Sequence, residues 1–195
     1  MRSGRSDEAL MLLFRKGDRD AFEELFGRHH RKVVHFCFRM TGDPARAEEA
    51  AQEVFLRVAR AAPSYEPTAK FTTWLYTIAR RTTLNVLRDE GGDEEVGASF
   101  REGEEGPEGD LLAQAAGPEA LQPETLAWGA ELQGRLAEAL RAIPEAYRSA
   151  FVLNRGEGLS YDETAAVLGI TVQAVKSRIF RAREMLLARL GGFLK

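Results

Sequence analysis

The sequence predicts an all-α protein, in which two small helical domains are joined by a flexible acidic linker and the second domain contains a helix-turn-helix. On both sides of the middle of the chain, apolar residues recur every three or four positions, which is the spacing of one helix face. No segment shows the strict alternation of a half-buried strand. A length of 195 residues, 44% hydrophobic and 29% charged, suits a globular chain of one ordinary domain or two small ones.

The net charge of −3 is the sum of two basic regions and one acidic region between them. Residues 1–88 have a balance of +5, residues 89–131 a balance of −12 and residues 132–195 a balance of +4. The acidic middle is rich in Gly, Glu and Pro and has no sustained apolar period, which is typical of a flexible linker. We therefore predict a first domain over 1–88, a linker over 89–123 and a second domain over 124–195. Because both ends of the chain are basic, the negative net charge does not argue against a nucleic-acid partner.

Four helices are predicted in the first domain. Asp20 and Asp43 are suited to cap two of them, and Pro44 follows Asp43 at the first helical position, where its missing N–H costs little. The second domain is predicted to have two helices before the helix-turn-helix. The predicted spans are Asp7–Lys16, Asp20–Met40, Pro44–Ala61, Lys70–Arg88, Glu124–Ala142 and Pro144–Asn154.

The helix-turn-helix is predicted from local signals over residues 159–183. Ser160 and Glu163 have capping-box spacing, and Gly169 can adopt the left-handed conformation that ends a helix. Ala165 is small where a second helix must cross closely, and Thr171 can cap that second helix. On the second helix Val172, Val175, Ile179 and Ala182 share one face, and Gln173, Ser177, Phe180 and Arg181 share the opposite face, flanked by Lys176 and Arg178.

This pattern of caps, turn glycine and apolar positions favours a helix that enters the major groove of DNA, where its outward side chains reach base edges. The alternative is an antiparallel helix pair whose charges are merely solvated. Phe180 favours DNA reading, because an aromatic ring away from the core needs a contact such as a thymine methyl. The candidate base-reading residues are Gln173, Lys176, Ser177, Phe180 and Arg181.

Two surfaces of the first domain are not explained by helix packing alone. On Pro44–Ala61 the outward Leu56, with Phe55 beside it among acids, indicates a protein-docking patch or an ordinary surface leucine, and spacing does not decide between them. On Lys70–Arg88 the interleaved basic and aromatic residues suit single-stranded nucleic acid, in which bases stack on rings and phosphates meet arginine. The alternative there is that Trp74 is core and the arginines are solvated.

Several classes of function find no support in the sequence. The single Cys37 excludes an internal disulfide and fits a reducing cytoplasm, and we expect it in the core with the histidines near the helix surface. The spacing of His30 and His35 does not present two metal ligands together, so no metal or cofactor is predicted. We find neither a nucleophile–base–orienter set nor a phosphate-binding glycine loop, so the chain is not predicted to be an enzyme. No apolar run is long enough for a membrane span.

Three segments in this order resemble bacterial RNA polymerase sigma factors, and most closely their extracytoplasmic-function (group IV) class, which keeps only the second and fourth conserved regions. The segments are AEEAAQEVFLRV, FTTWLYTIARRTTLNVLR and AIPEAYRSAFVLNRGEGLSYDETAAVLGITVQAVKSRIFRARE. The resemblance covers nearly all of the chain outside the extreme N-terminus and the acidic linker. It implies an alternative sigma factor that binds core polymerase, directs it to promoters and promotes DNA melting.

The resemblance also implies a role for each surface. The docking patch corresponds to the surface that binds the polymerase clamp coiled coil. The 63–70 loop and the predicted helix that follows it correspond to the part that recognises and melts the −10 element. The second helix of the helix-turn-helix corresponds to the helix that reads the −35 element. The linker corresponds to a segment that threads through the polymerase. Implied docking residues are Glu48, Glu49, Gln52, Glu53, Phe55 and Leu56; implied −10 residues are Tyr65, Lys70, Trp74, Arg80 and Arg81. Implied partners are core RNA polymerase, promoter DNA in double- and single-stranded form, and an anti-sigma factor, with no membrane insertion and a cytoplasmic location.

The chain departs from the family pattern at three positions. Arg81 stands where the family usually has Asn, Thr171 where Pro is frequent, and Thr164 where an apolar residue is usual. Two rival classes of function are a two-domain helix-turn-helix regulator without a sigma role, which has no need of the docking patch, and a nucleic-acid enzyme.

Overall fold

The computed structural model describes residues 4–88 and 134–190, and within them every regular element is helical. The linker prediction concerns residues outside this range. The first domain contains α1 (Asp7–Arg15), α2 (Arg19–Thr41), α3 (Pro44–Ala61), a 3₁₀ turn (Ala62–Ser64) and α4 (Phe71–Arg88). The second contains α5 (residues 134–141), α6 (Glu145–Phe151), a π-helical turn (Val152–Gly156), α7 (Tyr161–Leu168) and α8 (Val172–Leu190). The structure thus confirms the all-α fold class.

Local capping signals place most helix ends where the sequence predicts them. Asp43 accepts a hydrogen bond from the N–H of Arg46 at 3.0 Å, and Pro44 opens α3 behind it. The prediction that Asp20 caps α2 is wrong, because Asp18, two residues earlier, accepts the bond from the N–H of Ala21 at 3.2 Å and the helix begins at Arg19. The chain makes this earlier start after Gly17, whose φ of 100° is a conformation that other residues rarely adopt.

One apolar cluster runs through both domains, because helix α4 has neighbours on two sides. It packs on α2 and α3 within the first domain and on α7 of the second. The buried residues that join this one cluster come from both domains, among them Val33, Phe36, Val54 and Leu75 from the first and Leu140, Leu153, Leu159 and Val167 from the second. The two domains are therefore packed together, which the sequence did not predict.

His29 corrects the expectation that the histidines lie near the surface. Its side chain is buried where α1 packs on α2, and its Nε2 lies 2.7 Å from Asp7 Oδ2. Asp7 also accepts a bond from Arg28 at 2.6 Å, so one carboxylate at the start of α1 ties down two residues of α2. Burial holds the pKa of His29 below its usual value even though Asp7 favours the charged form. Cys37, by contrast, is buried as predicted.

No described helix combines the length and apolar character that crossing a membrane requires. Within the same part of the chain, no three His, Cys, Asp or Glu side chains are grouped so that they could hold a metal ion.

The burial of Cys37 leads to a prediction about its reactivity. Burial raises the pKa of its thiol from 9.0 to about 11, although a bond with Thr83 at 3.3 Å partly offsets this. A thiol disulfide reagent such as DTNB should therefore leave the native chain unlabelled near pH 8 and label it stoichiometrically in guanidinium. Because the folded pKa is the higher one, the thiol also favours folding below about pH 9 and loses that contribution as the pH rises through about 11. Rapid labelling of the native protein would contradict the burial.

Thr164 on α7 leads to a prediction about stability. Its side chain is completely buried, and its hydroxyl has no hydrogen-bond partner. Because an unpaired buried hydroxyl is destabilising, Thr164→Val should raise the free energy of unfolding by about 1 kcal/mol in urea titrations. Thr41→Val is the matched control: the Thr41 hydroxyl is equally buried but donates to the carbonyl of Cys37 at 2.9 Å, so that variant should lose stability. Loss of stability in both variants would show that Thr164 has a partner.

Candidate functional site

The helix-turn-helix has the local geometry that the sequence predicts. The Ser160 hydroxyl accepts from the N–H of Glu163 at 3.1 Å, and the Glu163 carboxylate accepts from the N–H of Ser160 at 2.8 Å, which closes the capping box. Gly169 ends α7 at a φ of 67°. The Thr171 hydroxyl then accepts from the N–H of Ala174 at 3.2 Å and caps α8. These bonds fix the angle at which α8 leaves the turn.

A small apolar cluster sets the orientation of α8. Ala165 lets the two helices approach, and Val175 and Ile179 pack there with Ala150 of α6. Because this face is buried, the opposite face is turned to solvent, with Gln173, Lys176 and Arg181 exposed and Ser177 and Phe180 half-buried.

Two of these residues make contacts in the free chain. The ammonium of Lys176 lies 5.7 Å from the ring centroid of Tyr161, and Arg181 pairs with Glu184 at 3.1 Å. Both are exposed contacts of the kind that cost little to break. The five predicted base-reading residues thus share the accessible side of α8, and their role in DNA binding stays a prediction.

The predicted docking patch has an aromatic centre that joins two helices. Leu56 is 53% exposed, and Glu48, Glu49 and Gln52 are exposed beside it on α3. Phe55, which was predicted to flank Leu56, is buried, because its ring lies 4.8 Å from that of Phe26 on α2 and 5.9 Å from that of His30. Glu53 is half-buried and accepts from Arg57 at 2.7 Å.

Phe26 is a surface residue that the sequence analysis missed. Its ring is 38% exposed and lies against His30 at 4.5 Å, and the Nε2 of His30 is 3.5 Å from a Glu48 carboxylate oxygen. The i, i+4 spacing of Phe26 and His30 was the available signal, but it became meaningful only once α2 lay beside α3. We call Phe26, His30, Glu48, Phe55 and Leu56 the α2–α3 patch.

Tyr65, which the family resemblance implies for the −10 element, is buried in this structure. It is 1% exposed, and its ring packs 4.9 Å from Trp74 and 6.3 Å from Phe71. Burial raises the pKa of its phenol. Its carbonyl accepts from Arg15 at 2.9 Å, which ties the loop before α4 to α1. In this structure the Tyr65 ring is packed under the loop against α4, so it is not exposed for stacking on a base.

Two of the basic residues predicted for the −10 surface form ion pairs with the second domain, and one does not face it. Lys70 lies 2.7 Å from the carboxylate of Glu163, and Arg80 donates to Glu145 at 2.8 Å. The Glu163 carboxylate raises the pKa of Lys70. Arg81, the next residue, is exposed, and Trp74 is half-buried against Tyr65 and Phe71. Only one edge of α4 therefore faces solvent freely.

Comparisons with known proteins agree with this architecture. The Sigma-70 region 2 family matches residues 25–92, and the Sigma-70, region 4 family matches residues 133–186. The chain is 33% identical over 172 residues to the ECF RNA polymerase sigma factor SigW of Bacillus subtilis, covering 88% of this chain and 90% of that protein. It is 35% identical over 184 residues to the ECF RNA polymerase sigma-E factor of Escherichia coli K12, covering 92% and 91%.

Two solved structures share the fold. CnrH in complex with the cytosolic domain of CnrY superposes with a TM-score of 0.71 at 23% identity, covering 96% of this chain and 99% of that one. The sigma factor RpoE of Bartonella quintana, in complex with the anti-sigma factor NepR, superposes with a TM-score of 0.62 at 21% identity, covering 87% and 96%. With the two family matches in the predicted order, and relatives aligned over nine-tenths of their length, the chain belongs to the extracytoplasmic-function class of the sigma-70 family and is an alternative sigma factor of RNA polymerase.

Proposed function

We propose that this sigma factor divides its functions among three surfaces. The α2–α3 patch, with Glu49, Gln52 and Glu53 beside it, binds the clamp coiled coil of core polymerase. Helix α4 and its preceding loop capture the −10 strand, and the outward face of α8 reads the −35 element. The observation that carries this proposal is the orientation of α8, since its buried face leaves all five candidate base-reading residues on the accessible side.

The docking assignment is supported by the chemistry of the α2–α3 patch. Phe26 and Leu56 are both exposed, and Phe55 lies next to Leu56 in the chain with its ring packed on Phe26. Apolar groups of this kind dominate binding energy where a partner covers them. The carboxylates around it select a basic partner surface and speed its approach.

For the −10 strand, we propose that Lys70 just before α4, and Arg80 and Arg81 on it, meet phosphates. Trp74 on α4 is proposed for base stacking. Arg81 in place of the family's usual Asn replaces a two-way hydrogen-bonding amide with a cation that only donates. We therefore propose that Arg81 contacts phosphate or guanine rather than adenine. Tyr65 is proposed here only as a support of this surface.

An anti-sigma factor is proposed as a further partner. The Bartonella RpoE was solved in complex with the anti-sigma factor NepR, and this chain shares its fold. The proposed site of action is the cytoplasm, where the polymerase works, and the role requires no catalytic group of the chain's own. A protein that co-purifies with the chain and abolishes its transcription when added back would support the anti-sigma proposal.

The whole proposal is tested by run-off transcription with purified core polymerase and genomic promoter fragments, with and without this protein. Promoter-specific products that require the chain would support it. Promoter binding without core dependence would favour a plain helix-turn-helix regulator, and nuclease or ATPase activity of the purified chain would favour an enzyme.

Leu56→Arg should weaken binding to core polymerase while leaving the fold unchanged. The side chain is exposed, so the charge is tolerated in the free chain, but it would be desolvated opposite a basic partner; a loss of about 2 kcal/mol, or roughly thirtyfold in Kd, is expected. Ala45→Arg, exposed on the same helix, is the matched control and should bind normally. Affinity and circular dichroism should be measured together, and undiminished binding by folded Leu56→Arg would overturn the docking assignment.

Arg181→Ala and Phe180→Ala should change which −35 sequences are transcribed. Loss of a base contact removes about 1–3 kcal/mol at one position of the element, whereas loss of a phosphate contact weakens all sequences alike. Arg183→Ala, on the half-buried side of α8, should mainly lower output. Transcription from a library with a randomised −35 element and a fixed −10 element measures this. An unchanged preferred sequence in the first two variants would mean that α8 is oriented differently on DNA.

A further inference from the structure

Helix α1 contacts the loop before α4 at both of its ends. This loop, residues 65–70, connects the 3₁₀ turn to α4, and we call it the −10 loop. At its start, Nη1 of Arg15 donates to the carbonyl of Tyr65 at 2.9 Å. At its end, the Glu8 carboxylate accepts from the N–H of Phe71, the first residue of α4, at 2.8 Å. One helix thus holds both ends of the loop that is proposed to meet the −10 strand.

Both bonds join a charged side chain to the backbone. Such bonds are stronger than neutral hydrogen bonds, and they do not depend on the side chains of the loop. The Glu8 carboxylate satisfies an N–H at the start of α4 for which that helix has no acceptor, and it lies at the positive end of the helix dipole. The bond from Phe71 is also the main reason that the pKa of Glu8 lies below its usual value. Glu8 therefore caps α4 from a different helix.

Helix α1 is a rigid support for these bonds, because it is fixed both in the core and on α2. Leu10 and Met11 are buried in the apolar cluster. Asp7 contacts Arg28 of α2 at 2.6 Å and His29 of α2 at 2.7 Å. Displacement of α1 would therefore disrupt the core of the first domain, so the loop ends are held against an element that does not move freely.

Between its two fixed ends, the −10 loop is accessible. Residues 66–70 are all exposed, whereas Tyr65 and Phe71 on either side are buried. Glu8 and Arg15 are seven helical positions apart, or about 10 Å along α1, so this helix spans the base of the loop. A loop with fixed ends and an exposed middle is preorganised for a ligand, because less conformational entropy is lost on binding.

We propose that α1 is the positioning element of the −10 loop, in which Glu8 and Arg15 hold the two loop ends so that residues 66–70 present one preorganised shape to the −10 strand. The inference rests on the proposed role of this loop in −10 recognition. It assigns a function to a helix that precedes the Sigma-70 region 2 match, which begins at residue 25. Glu8 and Arg15 act through the loop backbone and are not proposed to contact DNA.

The two bonds can be removed without changing the net charge of the chain. Glu8→Ala/Arg15→Ala takes away one anion and one cation, and α1 should persist because alanine is the best helix former. The matched control is Lys16→Ala/Glu23→Ala, which removes the same two charges at exposed positions of the same domain. Glu8→Gln/Arg15→Lys keeps an acceptor and a donor, so it should behave nearly as wild type. Circular dichroism verifies that each variant is folded.

Hydrogen–deuterium exchange of the free chain measures whether the loop is held. Peptides that cover residues 62–74 should exchange faster in Glu8→Ala/Arg15→Ala than in wild type, because the N–H of Phe71 loses its acceptor. The control should exchange as wild type does. Unchanged exchange in the folded alanine variant would overturn the proposal. If that variant is unfolded, Glu8→Ala alone is held to the same criterion.

Recognition is measured by holoenzyme transcription from a library with a randomised −10 element and a fixed −35 element. Discrimination between preferred and rejected −10 bases should fall about tenfold in the alanine variant, which corresponds to the loss of about one hydrogen bond to a charged group. Preference at the −35 element and binding to core polymerase should stay unchanged. An equal loss of output for all −10 sequences would show a merely structural role of α1 and refute the positioning of the loop.

Glu8→Ala alone separates positioning from direct contact with DNA. Because a carboxylate repels phosphate, a direct effect of its removal would be tighter binding, whereas positioning predicts weaker −10 discrimination. Tighter binding with unchanged discrimination would contradict the proposal. Glu66→Ala/Thr68→Ala, at exposed positions of the loop, tests the loop itself. If this loop variant alters −10 preference and the α1 variants do not, only the positioning role fails; if it leaves −10 preference unchanged, the proposed function of the loop fails and the inference with it.

Discussion

The structure depends on helix α4 being buried on two sides. Its apolar face, with Phe71 and Leu75, completes the core of the first domain, and its other side, with Tyr76 and Arg80, is covered by α6, α7 and the turn between them. A helix in this position couples whatever it binds to the relative placement of the domains. Tyr76 and Arg80 cannot face both the second domain and a nucleic-acid strand, so the proposed capture of the −10 strand on this side of α4 would require the domains to move apart.

The ion pairs between the domains add little to the free energy of separating them. The contacts between the domains combine a continuous apolar cluster with three carboxylate–cation pairs, two of them at least partly in water. Apolar burial favours the compact form, but the polar part is nearly neutral in free energy because water or phosphate can substitute for each partner. An interface of this composition holds the domains in register without locking them.

Features that depend on neighbours in the sequence were predicted well. The capping box of Ser160 and Glu163, the left-handed Gly169 and the cap at Thr171 each involve residues within three or four positions, and all are present. The cap of α2 was misplaced by two residues because both Asp18 and Asp20 satisfy the same preference, and only the turn at Gly17 decides between them. Family resemblance supplied the function, which composition and spacing alone left between several classes.

Features that depend on distant contacts were beyond the sequence. His29 is buried because of Asp7, 22 positions away, and Tyr65 is buried by rings of the following helix. Glu157 showed no periodic or motif signal, since its partners Arg39 and Tyr76 lie in the other domain. Phe55 was predicted only to flank the outward side of its helix, and its burial follows because α2 supplies Phe26 to cover it.

The exposure of Phe26 and Leu56 has a consequence for how the protein behaves when its large partner is scarce. The same apolar groups that suit a tight heterologous contact are sticky in water, and two copies of the chain offer each other identical faces. Overproduction in excess of polymerase should therefore favour self-association through this region and reduce the yield of usable material. Under the proposed docking assignment, co-production with the polymerase subunits would cover this face, and dilution would be the gentler remedy in vitro.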